Sequence, residues 1–126
     1  MRIYVTVLVA LLMVLTVSII TPYRLDASAG EILAGFGEME KAINRGNWEE
    51  ASAGIDITEK LWNKDKGWWA VVIDHQEIDH IDMSLLRTKE YISKQDRTMA
   101  SGELAVLRQM LEHIPQKEQV NLKNIF

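Results

Sequence analysis

The segment Asp74-His75-Gln76-Glu77-Ile78-Asp79-His80-Ile81-Asp82 is the one stretch of this chain in which acids and histidines crowd together. Imidazole and carboxylate groups bind divalent metals and exchange protons near neutral pH, so this is where chemistry is sought first. Glu77 and His80 have the Glu-x-x-His spacing with which carboxylate di-iron bundles present ligands from two helices, a Glu from each of the other two completing the set. His75, Glu77, Asp79, His80 and Asp82 are therefore the metal candidates, and a metal-binding protein or metal-dependent enzyme is the alternative functional reading.

The spacing argues against a complete site. Only one Glu-x-x-His pair exists. At about 100° per residue, His80 falls nearly opposite the apolar stripe of Ile78, Ile81 and Leu85, while His75 and Asp82 stand about 10 Å apart along the axis. Glu40, Glu59, Asp82 and Glu103, taken as inward carboxylates, come out about 9–10 Å out of level within each helical hairpin. Hydrogen bonds or ion pairs from His75 and Asp82 to a neighbouring helix are the expected role, with no metal, cofactor or catalytic residue assigned. Nucleophile elbow, phosphate loop and zinc signature are all missing, and Ser84 and Ser101 have no oxyanion motif around them.

The elements that must position these residues read as helices. After Ala29 the apolar positions recur every three or four residues, with Gly, Asn and Asp at the breaks. The first helix carries Ile32, Leu33, Phe36, Met39 and Ile43 and stops at Gly46. Asn47 and Glu50 form a capping box for the second, which bears Trp48, Ala51, Ile55 and Trp62. Gly67 is read as the next break, opening a third helix from Trp68 to about Lys94 with Val71, Ile78, Ile81, Leu85 and Ile92 on its stripe. Asp96 caps the fourth, carrying Ala100, Leu104, Leu107, Leu111 and Ile114, which Pro115 ends or kinks. An offset of 49 residues relates Ile43 to Ile92, Asn47 to Asp96, Ala51 to Ala100, Ile55 to Leu104 and Trp62 to Leu111. Two helical hairpins of similar plan are implied.

Trp48, Trp62, Trp68 and Trp69 gather around one junction. Trp48 and Trp62 lie on the stripe and belong to the core. Trp69 points off the stripe of the third helix as read above, so it either covers the preceding helix or joins an exposed patch. The surface around Trp69, or the apolar tail from Gln116 to Phe126 with Ile125 and Phe126, is the candidate contact surface.

Ahead of all this runs Ile3 to Ile20, uncharged and interrupted only by Tyr4, Thr6, Thr16 and Ser18. As a helix it reaches about 27 Å, enough to cross a bilayer. Ala27-Ser28-Ala29 supplies a small-x-small cleavage pattern, but the apolar run exceeds a signal peptide's usual 7–15 residues and ends well before it. Residues 1–23 are thus read as a transmembrane or signal-anchor segment, 24–30 as a linker, and 31–126 as the helical domain with a tail from 116. Secretion after cleavage near Ala29 is the alternative. The net charge of −4 and the absence of a basic patch argue against nucleic acid as partner. Absence of cysteine excludes disulfides and a lipoprotein anchor.

The combination of the apolar N-terminus, His75 to Asp82, Leu86-Arg87, Tyr91-Ile92, Gly102-Glu103-Leu104, Glu112-His113-Ile114 and the ending Leu122-Lys123-Asn124-Ile125-Phe126 resembles an uncharacterised bacterial family, domain of unknown function 4363. The resemblance implies an uncleaved or signal-like N-terminus, a helical domain and a bacterial envelope location. It marks His75, Asp79 and Asp82 as pattern positions and implies no activity. The expected protein is all-α: an anchor helix followed by a four-helix bundle of two hairpins. Its expected role is an accessory or protein-interaction module on the outer side of the cytoplasmic membrane, partnered by another envelope or membrane protein.

Overall fold

The computed structural model describes the backbone of residues 1–125 and the side chains as far as Lys117. Five α-helices follow one another: α1 Arg2–Leu33, α2 Phe36–Arg45, α3 Trp48–Val72, α4 His75–Ser93 and α5 Arg97–Ile125. No strand occurs among the described residues. The second half of α1 and the whole of α2 pack in succession against α3 and α5, so together they fill one corner of a four-cornered bundle. The fold is the expected anchor-like helix and four-helix bundle.

The two hairpins share a turn. At the end of α2, Gly46 takes φ 72°. Its N–H reaches the Ile43 carbonyl at 3.1 Å and that of Asn47 reaches Ala42 at 2.9 Å, the paired bonds of a left-handed helix stop. Forty-nine residues on, Gln95 takes φ 57°, bonds to the Ile92 carbonyl at 3.0 Å, and Asp96 bonds to Tyr91 at 2.9 Å. Asn47 then caps Glu50 N at 3.2 Å while its amide donates to the Glu50 carboxylate at 3.0 Å; Asp96 caps Met99 N at 3.1 Å. Ile43, Ala51, Ile55 and Trp62 are buried, as are Ile92, Ala100, Leu104 and Leu111 at the same offset. The internal repeat is therefore a property of the turns and of the core alike.

Four boundaries differ from the sequence reading. The first helix is not one piece: Ile32 and Leu33 end α1, and Ala34-Gly35 separate them from Phe36, Met39 and Ile43 on α2. Gly67 does not break a helix; α3 runs through it to Val72, and the break falls at Ile73-Asp74. There Ile73 is extended (ψ 165°), and the Asp74 carboxylate accepts the Gln76 N–H at 3.0 Å. Asp74 followed by Glu77 is a cap signature in its own right. Val71, expected on the stripe of the next helix, is consequently exposed at the end of α3. Pro115 does not end α5, which continues to Ile125. A proline inside a helix removes one backbone bond, and here its ring is buried, which offsets part of that loss. Residues 24–30, read as a linker, are helical and contribute Leu25, Ser28 and Ala29 to the interior.

Candidate functional site

The arrangement that stands out is the junction between α1 and the bundle. From Arg2 to Ile20 α1 is bare apart from a half-covered Ser18; from Leu25 onward one side of the same helix is core. Residues 24, 28 and 31 recur at helical spacing and face α3, which runs antiparallel to α1. Glu31 meets Lys64 Nζ at 3.0 Å, Ser28 meets Asp65 and Trp69, and the Arg24 guanidinium lies 4.4 Å from the Trp68 ring centre. The carboxylate of Glu31, first by hydrogen bond and then by charge, raises the pKa of exposed Lys64 above its ordinary 10.5.

Ser28 is the hinge pin of this contact. Its Oγ accepts the Trp69 indole N–H at 2.8 Å and donates to Asp65 Oδ2 at 2.6 Å. Asp65 and Trp69 are one turn apart on α3, so a single small hydroxyl satisfies both. Trp69 is wholly buried and meets Trp62 edge-to-face, with centroids 5.3 Å apart and planes at 74°. Trp62, also buried, donates its indole N–H to Asp82 Oδ1 at 2.7 Å, and Asp82 Oδ2 holds Lys66 Nζ at 2.6 Å. Two interior tryptophans thus end on polar groups of other helices, as buried indoles require. The junction is chemically spent. Ser28 hydroxyl and both carboxylates are engaged, leaving a device that fixes geometry.

The metal candidates are dispersed. His75, Asp79 and His80 are exposed, Glu77 is half-buried and paired with Lys117 at 3.2 Å, and Asp82 serves Trp62 and Lys66. Among the described residues no three His, Asp or Glu side chains converge at metal-binding geometry. Glu77, His80 and His113 line an open cleft of about 160 Å³ between α4 and α5, together with Gln109, Met110 and Ile114. The four carboxylates weighed as an inward set each face a separate cation: Glu40 with Arg108 at 3.0 Å, Glu59 with Lys89 at 2.9 Å, Asp82 with Lys66, and Glu103 with Arg87 at 2.9 Å. Asp82 does bond to a neighbouring helix as expected, whereas among the described residues no such bond is made by His75.

Trp69 is corrected from a surface candidate to a core residue. Because α3 is continuous through Gly67, Trp69 lies seven residues after Trp62 and on the same face as Ala51, Ile55, Thr58 and Trp62. Ile125 and Phe126, the other contact candidates, lie outside the residues whose side chains are described. Asp65 carries no signal in the sequence, and Ser28 stands out there only as the middle of the small-x-small pattern; a serine one turn after Arg24 has no visible partner until α3 is placed beside it.

Residues 19–125 match a family model described as Domain of unknown function (DUF4363). No curated protein and no solved structure matches the chain.

Proposed function

The chain belongs to the DUF4363 family, and on that premise we propose that it is a membrane-anchored accessory module of the bacterial envelope, whose helical bundle engages another envelope protein from a fixed position at the membrane surface. The observation that carries this reading is the single helix α1, apolar and bare over Arg2–Ile20 and built into the core from Leu25 onward. A bare apolar helix of about 27 Å matches a bilayer's hydrocarbon thickness. By length and composition it fits a membrane span or a signal sequence. Burial of Leu25, Ser28 and Ala29 favours retention, because cleavage after Ala29 would take the acceptor of Trp69 and the donor to Asp65 out of the interior. Arg2 before the span is compatible with an inside N-terminus and an outside domain.

Membrane fractionation tests the anchor, and crosslinking in native membranes tests the partner. The whole chain is expected in alkali-washed membranes at its uncleaved mass, its domain open to protease added outside, with one recurrent crosslinked envelope protein. A soluble product beginning near Gly30 overturns anchoring, and repeated recovery of the monomer alone overturns the docking role.

A further inference from the structure

The rungs between α1 and α3 fix how far the bundle stands from the end of the apolar run. Arg24 faces Trp68, Ser28 faces Asp65 and Trp69, and Glu31 faces Lys64, so α3 advances toward the N-terminal end of α1 residue for residue. Continuing that register places the α3–α4 corner, Val71 to Asp74, level with roughly residues 19 to 26 of α1, within about 9 Å of Ile20 along the axis. The headgroup layer on one side of a bilayer is itself about 5–8 Å deep. No loop separates the two: α1 stays helical to Leu33, through Pro22, which removes one backbone hydrogen bond, and is clamped to the bundle through Ser28.

The residues at that level have interfacial chemistry. Val71 is 81% exposed and Tyr23 82%, whereas among the described residues the next most exposed large apolar side chain of the bundle, Ile57, is 59% exposed and lies fourteen residues earlier on α3. Trp68 is half-buried and the Arg24 guanidinium carbon lies 4.4 Å over its ring, a cation–π contact at the foot of the apolar run that leaves N–H donors of Arg24 for phosphate. Aromatic side chains and an arginine following an apolar span are what the headgroup region accommodates.

We infer that the α3–α4 corner and the base of α1 form a lipid-contacting rim, in which Val71 and Tyr23 enter the phospholipid headgroup layer and Arg24 binds lipid phosphate. The inference rests on α1 being the membrane anchor. The bundle then sits on the bilayer with the corner wetted by headgroups, and the Gly46 and Gln95 turns form its far end.

The absence of native cysteine makes single-site labelling direct. Val71→Cys, Ile57→Cys and Leu12→Cys chains, each carrying a nitrobenzoxadiazole dye, are reconstituted in phosphatidylcholine/phosphatidylglycerol nanodiscs containing headgroup- or acyl-chain-nitroxide lipid. Helix content by circular dichroism verifies folding of each. The expected result is quenching of the Val71 dye by headgroup nitroxide, about threefold or more, with the Ile57 dye, about 21 Å farther along α3, unaffected, and the Leu12 dye quenched by acyl-chain nitroxide. If the Leu12 dye is quenched and the Val71 dye behaves like Ile57, the rim is overturned while the anchor stands. If neither is quenched, anchor and rim fall together.

Discussion

Replacing Ser28 by alanine tests whether one hydroxyl holds the apolar helix to the bundle. The substitution removes two hydrogen bonds and adds no bulk. Trp69, which has no exposed surface, loses the acceptor that its indole N–H meets at 2.8 Å. A buried donor left unsatisfied costs about 1–3 kcal/mol. The lost bond to half-buried Asp65 adds about 0.5–1 kcal/mol, because water reaches that carboxylate and replaces part of what Ser28 supplied. The expected loss is about 1.5–4 kcal/mol, corresponding to roughly 8–20 °C in Tm at about 5 °C per kcal/mol for a domain of about a hundred residues. Thermal unfolding in dodecyl maltoside, followed by circular dichroism, measures it. Trp69→Phe completes the cycle: with no indole N–H to orphan, Ser28→Ala on that background should cost about 1–2 kcal/mol less. Equal cost on both backgrounds, or a loss below about 0.5 kcal/mol for Ser28→Ala alone, refutes the reasoning.

Three further outcomes follow from the same geometry. Asp82→Ala leaves the buried Trp62 N–H without its acceptor and should cost about 1–3 kcal/mol, while Asp82→Asn keeps an oxygen for Trp62 and should cost less than half as much by urea titration. Gln95→Gly should stabilise the fold by about 0.5–1 kcal/mol, since Gln95 holds φ 57° at the position that its counterpart Gly46 occupies without a Cβ; a lowered urea midpoint would contradict this. Hydrogen bonding to Glu59, then the charges of Glu59 and Asp56, raise the Lys89 pKa above its ordinary 10.5. The stability this contributes is fully present below pH 10.5 and is lost as pH rises through the higher folded value. The Tm difference between the native chain and Lys89→Met should therefore be constant from neutral to mildly alkaline pH and shrink above 10.5; a difference that grows there contradicts the assignment.

The sequence by itself determined the helical class, the apolar run and both distal turns. Each of these depends on local chemistry: a period of three to four, Asn47 and Asp96 as caps, and a repeat offset that keeps Ile43 and Ile92, or Ala51 and Ala100, in equivalent interior positions. Tertiary structure decided what depends on register between elements. Gly67 is permissive and does not force a break, so whether Trp69 faced in or out turned on helix continuity, which the contacts of Trp68 with Arg24 and of Trp69 with Ser28 support. Asp74, a capable N-cap, then took the boundary, exposing Val71. The candidate site was legible only in part. Asp82 was marked, but its partners Trp62 and Lys66 lie on another helix, and Ser28 is separated by 37 and 41 positions from the residues it joins. Helical periodicity fixes which side chains share a face; it does not fix the axial height at which two helices meet, and at this junction that height sets the chemistry.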